Sequence, residues 1–355
     1  MAKEQRTPVS KFGEDGLIRH LLKDFPPSLP DVITSVGDDA AVLHTGHESR
    51  RLIVTTDLLV EGIHFDLTYV PLQHLGYKTV AVNVSDIYAM NARPAAITLS
   101  IAFSNRFPAE ALEALYFGVR KACEHYSIDL IGGDTSSSRS GLFLNVTALG
   151  YATDSELVYR SGAREDDVLC VTGNLGAAYA GLQILEREKA VFADNPNLQP
   201  DLQQHAYVVE RQLKPDARSD LYDVLQQKGL RPTAMMDLSD GLATDLNRLC
   251  EASGVGAAVY QEHLPIDPRT AAVAKLFDQP ATTYALYGGE DYELLFTLPP
   301  QDYKAIEDYP EVTAIGQILP RQRGLQFVGE DGGISELQPL GHDHFLDDGT
   351  EAEGQ

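Results

Sequence analysis

Cysteine is scarce in this sequence: it has only Cys123, Cys170 and Cys250, widely spaced and set in apolar patterns. An odd number of such thiols indicates core side chains of a reducing compartment, with neither a disulfide framework nor the spacing of a zinc site. No stretch approaches the ~20 apolar residues that cross a membrane, and the first residues lack the apolar run of a signal peptide. We therefore expect a cytoplasmic protein with no membrane partner.

Basic residues are few as well, since 28 Lys and Arg stand against 52 Asp and Glu, a formal net charge of -24. This balance argues against nucleic acid as a partner, because binding to a phosphate backbone depends on Lys and Arg that neutralise it. An acidic protein can still bind a polyphosphate when metal ions lie between the two sets of negative oxygens. Phosphate chemistry in this chain is therefore expected to depend on divalent cations.

Several common catalytic motifs are missing too. The sequence contains no Gly-x-x-x-x-Gly-Lys-Ser/Thr loop, no protein-kinase signature, no Gly-x-Ser-x-Gly elbow and no zinc-protease histidine motif. These absences exclude a P-loop enzyme or a protein kinase, and they leave nucleophilic and zinc hydrolysis without support.

The chain does contain enough apolar material for two domains. Its 355 residues, 43% of them hydrophobic, exceed one typical core. Helical and strand patterns alternate along it, and its character changes near residues 151–156. We predict an α+β fold with mixed sheets covered by helices in each of two domains, 1–152 and 153–345, followed by an acidic tail at 346–355.

Carboxylates beside glycine, serine or threonine recur at predicted strand ends and turns. The first group lies between residues 36 and 65, where a turn carries Asp38 and Asp39 and a short apolar strand ends in Thr55-Thr56-Asp57. The others are Asp86 on a predicted helix over 71–90, Asp134 in a predicted loop after Gly132-Gly133, Asp237 and Asp240 in a third turn, and Glu290 and Asp291 in a fourth. Taken alone, these motifs are also compatible with an ordinary turn, with a helix cap or, for Asp86, with a solvated helix carboxylate.

The number of these carboxylates is more informative than any one of them. If they share one cleft, they repel one another unless cations neutralise them. Magnesium prefers oxygen ligands and bridges substrate phosphates, so several metal ions and a polyphosphate would resolve the repulsion.

The motifs resemble the thiamine-monophosphate kinase family, a branch of the aminoimidazole ribonucleotide synthetase superfamily, in collinear order from about residue 12 to residue 344. The matching strings are Val-Gly-Asp-Asp-Ala-Ala-Val at 36–42, Thr-Thr-Asp at 55–57, Glu-Gly-Ile-His-Phe at 61–65, Val-Asn-Val-Ser-Asp at 82–86, Ile-Gly-Gly-Asp at 131–134, Arg-Ser-Gly at 160–162, Met-Asp-Leu-Ser-Asp-Gly-Leu at 236–242 and Gly-Gly-Glu-Asp-Tyr-Glu-Leu at 288–294. Each string is short, but their joint order and spacing are highly specific.

The resemblance implies the two-domain fold of that superfamily and ATP-dependent phosphorylation of thiamine monophosphate to thiamine diphosphate, the last step of thiamine diphosphate biosynthesis. It also implies Mg²⁺ as cofactor, ATP as co-substrate and a homodimer built through the N-terminal domains. By matching position, the implied metal ligands are Asp39, Thr55, Thr56, Asp57, Asp86, Asp134, Asp237 and Asp240. The implied ATP contacts are Gly133, Asp134, Arg160 and Ser239, and the implied thiamine contacts are His64, Glu290 and His342, the last in place of a usual aromatic residue.

The expected reaction needs no dedicated catalytic base. A phosphate monoester has a second pKa near ~6, so the acceptor is largely ionised at neutral pH. The obstacle is the electrostatic repulsion between the two phosphate groups. Metal ions that bridge and orient both phosphates overcome this repulsion.

Two other functions stay open at this point. One is a sister activity of the superfamily, such as selenophosphate or aminoimidazole ribonucleotide synthesis. The segment before Gly37 lacks the cysteine of selenophosphate-synthetase-like enzymes, and the strings at 61–65 and 288–293 both match the thiamine pattern. The other is a nucleotide-binding module that has lost transfer, which the intact set of ligand positions disfavours.

Overall fold

Two mixed sheets organise the chain, which a computed structural model describes over residues 9–24, 26–47, 49–195 and 202–340. The first sheet draws on residues 32–152 and the second on residues 168–336. This arrangement confirms the α+β prediction. The exact domain boundary stays a prediction, and His342 and the acidic tail lie outside the described residues.

The first sheet has six strands in the order β1-β2-β3-β6-β4-β5, and only β4 and β5 pair in parallel. Its elements are α1 (Gly13–Leu22), β1 (Val32–Thr34), β2 (Ala41–His44), β3 (Arg51–Val60), α2 (Leu72–Ala89), β4 (Arg93–Phe103), α3 (Ala109–Tyr126), β5 (Asp129–Ser137) and β6 (Phe143–Ala152). Strand β5 therefore forms one edge of this sheet.

Helices α2 and α3 lie against one face of the first sheet. Alternation along β6 buries Leu144, Val146 and Ala148 completely and leaves Asn145 and Thr147 on the opposite, half-exposed face. Helix α2 packs closely on α3 because Gly76 has no side chain: a Cβ there would lie 2.0 Å from the Leu115 carbonyl oxygen. One face of the sheet is thus covered by helices and the other is open.

The second sheet has seven strands in the order β13-β12-β9-β11-β7-β10-β8. Its elements are β7 (Val168–Thr172), α4 (Ala177–Asp194), α5 (Ala206–Leu213), α6 (Ser219–Lys228), β8 (Ala234–Asp237), α7 (Leu242–Ser253), β9 (Gly256–Tyr260), α8 (Pro268–Leu276), α9 (Ala281–Tyr287), β10 (Leu294–Leu298), α10 (Pro300–Tyr303), β11 (Val312–Leu319), β12 (Leu325–Val328) and β13 (Ile334–Glu336). Pairs are antiparallel except β9 with β12.

The central strands of the second sheet are buried on both faces, whereas the edge strand β13 is exposed. Cys170 and Phe296 belong to a core that continues into the first half of the chain, whereas Leu169 and Leu295 pack in a separate cluster that includes Leu246 of α7. The two halves therefore share one apolar core. No helix among the described residues is long and apolar enough to cross a membrane.

Two strands are longer than the sequence patterns predict. The expected short strand ending before Thr55 runs as β3 through Val60, and the expected loop after Ile131 is part of β5. Pairing with the long neighbours β6 and β4 supplies backbone hydrogen-bond partners that polar side chains alone do not reveal. Thr55, Thr56 and Asp57 therefore lie within a strand, where successive side chains point to opposite faces.

Candidate active site

Three carboxylates from distant parts of the sequence meet where the two halves join. Asp39 lies in the turn before β2, Asp86 in the last turn of α2, and Asp237 at the end of β8. A carboxylate oxygen from each lies within 4.8 Å of the other two. The folded chain thus gathers three predicted metal ligands.

Alternation along β3 decides which neighbours join this cluster. Thr55 and Asp57 face α2: the Thr55 hydroxyl donates to Asp86 Oδ2 at 2.6 Å, and the Asp57 N–H donates to Asn83 Oδ1 at 3.0 Å. Thr56 points to the opposite face, where its hydroxyl donates to the Val146 carbonyl at 2.9 Å. Thr55 and Asp57 are therefore beside the cluster, and the Thr56 side chain is not.

The cluster is electrostatically costly without a cation. Burial, followed by the charges of neighbouring aspartates, raises the pKa of Asp86 and of Asp237 well above the ordinary range. Burial and the charge of Asp240 raise the pKa of Asp57 to about 6. A hydrogen bond from the Ser85 hydroxyl to Asp237 Oδ2, 2.6 Å long, offsets only part of this cost. These groups favour either a proton or a metal ion.

Arg160 neutralises one member of the cluster. Its Nε and Nη2 both donate to Asp39 Oδ1, at 3.1 and 2.8 Å. The other oxygen, Asp39 Oδ2, is buried and has no hydrogen-bond partner among the described residues. An orphaned carboxylate oxygen among other carboxylates is suited to a hard divalent cation, so the donor set fits Mg²⁺.

Asp240 belongs to the same wall but is held by an arginine. Arg248 Nη1 donates to Asp240 Oδ2 at 2.5 Å and to Asp245 Oδ1 at 2.9 Å, while its Nε reaches Asp15 of α1 at 3.1 Å. Gly241 is the N-cap residue of α7, and among the described residues Asp240 is paired with Arg248, so the structure does not support the alternative interpretation of Ser239 or Asp240 as the helix cap.

A cavity of about 1200 Å³ opens next to these groups. It is large enough for more than one small ligand. Its walls include the predicted site residues Asp39, Thr55, Asp57, His64, Asp86, Arg160, Asp237, Ser239, Asp240 and Glu290. Tyr69, Tyr179 and Tyr287 add aromatic surface. One chamber thus combines an acidic wall with an aromatic one.

Glu290, predicted to contact thiamine, is held by residues that sequence reasoning missed. Lys78 Nζ lies 2.7 Å from Glu290 Oε1, and Gln212 Nε2 donates to Oε2 at 2.5 Å. Burial alone would raise the pKa of Glu290, but the ammonium of Lys78 and both hydrogen bonds lower it, so the carboxylate is ionised at neutral pH. Lys78 could have been found from its position, because it stands two turns before Asp86 on the same face of α2.

The structure places His64 at the cavity and Asp291 away from it. His64 lines the cavity, and its Nδ1 accepts a hydrogen bond from the Val60 N–H at 3.1 Å. Asp291, counted among the candidate carboxylates, turns away from the cavity and accepts hydrogen bonds from the N–H groups of Gly176 and Ala178 at the start of α4. Asp291 is therefore a structural residue in this fold.

Gly133 and Asp134 are not brought to the cluster within one chain. They lie on the exposed edge strand β5, which β4 and β6 separate from β3, a distance of about 14 Å at ~4.8 Å per strand. Asp134 pairs with Ser100, and Ser100 with Asn145, so its side chain belongs to the open face of the sheet. Their assigned roles, and that of His342, stay predictions.

Comparisons with known proteins identify the family and the fold. The family models described as AIR synthase related protein match residues 37–152 with the N-terminal domain and residues 164–326 with the C-terminal domain. The thiamine-monophosphate kinase of Aquifex aeolicus (strain VF5) is 32% identical over 337 residues, 95% of this chain and 99% of that protein. The thiamine-monophosphate kinase of Salmonella typhimurium is 36% identical over 341 residues, 94% and 98% of the two chains.

A solved structure gives the same result in three dimensions. The structure of AaThiL complexed with AMPPCP and TMP has a TM-score of 0.82 and 31% sequence identity, covering 96% of this chain and 99% of that one. Sequence, fold and the order of the acidic loops therefore agree along almost the whole length. The chain belongs to the thiamine-monophosphate kinase family of AIR synthase related proteins.

Proposed function

We propose that this chain transfers the γ-phosphoryl group of ATP directly to the phosphate of thiamine monophosphate, forming thiamine diphosphate and ADP. The observation that carries this proposal is the cluster of Asp39, Asp86 and Asp237 opening into a cavity that also contains Arg160 and Glu290. The similar structure of AaThiL was determined in complex with AMPPCP, an ATP analogue, and TMP, which supports both kinds of ligand as substrates of this chain.

The residues present fit Mg²⁺ as the cofactor. Asp39, through its orphaned Oδ2, and Asp57, Asp86, Asp237 and Asp240 would hold it, with Thr55 supporting Asp86. When bound, Mg²⁺ neutralises phosphate charge and stabilises the charge that develops during transfer. The aspartates would otherwise repel both substrates.

The chain itself binds and orients the two substrates. Arg160, positioned by Asp39, offers a cation to the ATP phosphates, and Ser239 lies on the same wall. His64 and the ionised Glu290 contact the thiamine moiety, with Lys78 and Gln212 fixing the Glu290 carboxylate. The acceptor phosphate is already ionised at neutral pH, so none of these residues acts as a proton carrier.

The active form is a homodimer assembled on the first sheet. All residues of β5 are exposed, including Leu130 and Ile131, and the open face carries Thr56, Asn145 and Asp134. An uncovered edge strand with apolar side chains is a surface for pairing with a second copy. Dimerisation would also explain why Gly133 and Asp134 match the family pattern although they lie far from the cluster of their own chain.

Incubation of the purified protein with ATP, MgCl₂ and thiamine monophosphate tests the proposal. We expect thiamine diphosphate and ADP in equal amounts, and loss of turnover by at least about 100-fold in Asp57→Asn and Asp134→Asn with native circular dichroism. His64→Gln should raise KM for thiamine monophosphate while retaining most of kcat. Nucleotide binding without ADP formation would favour a binding module. Full activity of Asp57→Asn would contradict its role as a metal ligand, and full activity of Asp134→Asn would contradict the functional role predicted for the β5 edge.

A further inference from the structure

The turn at 288–293 presents its residues alternately to the cavity and to the protein interior. Glu290 and Tyr292 line the cavity, whereas Asp291 and Glu293 are 2% and 1% exposed. Both cavity-facing residues have left-handed backbones, with φ of 64° at Glu290 and 51° at Tyr292. Residues with a Cβ rarely adopt this conformation, so contacts from the surrounding structure must hold the turn in place.

The buried half of the turn is anchored by two arginines that are not equivalent. Arg211 of α5 donates from Nη2 to the Asp291 carbonyl at 3.0 Å and to Glu293 Oε1 at 2.7 Å. Arg218 donates from Nη1 to Glu293 Oε2 at 2.7 Å, and the Thr172 hydroxyl donates to the same oxygen at 2.6 Å. Both arginines neutralise Glu293, but only Arg211 also holds the backbone of the turn.

Gln212, the next residue of α5, contacts the other side of the turn. Gln212 donates to Glu290 Oε2, and its carbonyl accepts a hydrogen bond from Lys78 Nζ at 3.3 Å. The N–H groups of Glu290 and Tyr292 donate to the carbonyls of Ser239 and Leu238 at 2.7 and 2.9 Å. Helix α5 therefore fixes a turn that touches both the predicted thiamine contact and the loop carrying the metal ligands.

We propose that Arg211 is a positioning residue for substrate recognition: by clamping the Asp291 carbonyl and Glu293, it holds the left-handed backbone that aims Glu290 into the cavity. This inference rests on the proposed function, because it assigns Glu290 to the thiamine substrate. Arg211 contacts the turn from behind and does not line the cavity.

A matched pair of variants separates positioning from general stability. Arg211→Met and Arg218→Met each remove one arginine from Glu293 and leave the other in place, so the buried carboxylate keeps a cation in both. Steady-state kinetics should show KM for thiamine monophosphate raised about 10-fold or more in Arg211→Met, and less than about 3-fold in Arg218→Met. Arg211→Lys should recover part of the loss, because the ammonium keeps a cation beside Glu293 but lacks the length and the fixed planar geometry of the guanidinium.

Combination with Glu290→Gln tests whether Arg211 acts through Glu290. In the Glu290→Gln background, Arg211→Met should have little further effect on KM, because residue 290 no longer carries the charge that Arg211 positions. Equal effects of the two arginine variants, or an Arg211→Met effect that persists unchanged with Glu290→Gln, would overturn the proposal.

Hydrogen exchange measures how strongly Arg211 stabilises the backbone of the turn, independently of catalysis. The amides of Glu290 and Tyr292 should exchange faster in Arg211→Met than in the parent protein, and should be unchanged in Arg218→Met. Unchanged exchange rates in Arg211→Met would show that Arg211 does not stabilise the conformation of the turn. If the parent protein lacks kinase activity, the proposed function fails, and the exchange rates still decide the structural role of Arg211.

Discussion

Buried carboxylates in this protein differ in whether the chain supplies a cation for them. Glu293 faces Arg211 and Arg218, so its charge is paired within the fold. Asp86 accepts a hydrogen bond from the Thr55 hydroxyl, but burial and then the charges of neighbouring aspartates raise its pKa. The first arrangement stabilises the folded chain, and the second leaves a charge to be neutralised by something outside the chain.

This contrast gives opposite predictions for two isosteric substitutions. Asp86→Asn should increase the free energy of unfolding of the metal-free protein by about 1 kcal/mol, because a neutral amide removes charge repulsion and keeps an acceptor for Thr55. Glu293→Gln should decrease it by about 3 kcal/mol, because two arginines lose their anion. Urea denaturation without metal measures both.

Thermal unfolding with Mg²⁺ and ATP, together with an activity assay, distinguishes a metal-binding carboxylate from a structural one. Adding MgCl₂ and ATP should raise the unfolding temperature of the parent protein and have little effect on Asp86→Asn, whose activity should be lost. A destabilised Asp86→Asn protein that still gains stability from Mg²⁺ and ATP would contradict the role given to this carboxylate.

At the scale of elements, strand length decides where side chains point. Because β3 continues through Val60, alternation separates Thr55 and Asp57 from Thr56. Because β5 continues through Ser137, Asp134 lies on a sheet edge and not in a loop. Gly133 permits this pairing, since a Cβ at that position would lie 1.9 Å from the Leu99 carbonyl oxygen.

Substitution of the two adjacent glycines tests this packing. Gly133→Ala should destabilise the protein by about 2 kcal/mol or more, because the methyl group forces β5 away from β4. Gly132→Ala is the control, because a Cβ there meets only Thr98 Cγ2, at 4.0 Å. Chemical denaturation of both variants measures the difference, and equal stabilities would show that β5 does not hold its observed distance from β4.

At the scale of the whole molecule, the two halves share an apolar core and form the cavity between them. The acidic wall comes from the turn before β2, from β3 and α2 of the first half and from β8 of the second. The open face and the β5 edge of the first sheet are the surface proposed for a second copy, and Gly133 and Asp134 lie on that edge.

One charged substitution on the exposed edge strand β5 tests the proposed homodimer. Ile131→Lys, at a side chain 59% exposed on β5, should shift the mass measured by light scattering from dimer to monomer and reduce turnover at least about 10-fold. Leu276→Lys is the matched control, because Leu276 is 52% exposed on α8 of the second half. A dimeric and fully active Ile131→Lys protein would show that β5 is not the interface.

The sequence by itself determined the family, the α+β class and the residue types of the acidic wall. Short acidic motifs in a fixed order are enough to identify the family, because each motif can be recognised from neighbouring residues alone. The comparisons confirm the family and the fold. The order of the strings predicted which carboxylates belong to the site, but it did not predict which of them lie close together.

Tertiary structure alone decided how those residues are arranged. Long-range strand pairing placed Thr56 and Asp134 on the open face, and helix packing turned Asp291 into an anchor for α4. Lys78 and Gln212, from separate helices, converge on Glu290 without any local motif. Hydrogen-bond partners and charge neutralisation depend on residues distant in sequence, so only the folded chain shows which buried carboxylates are paired with a cation of the chain and which face other carboxylates.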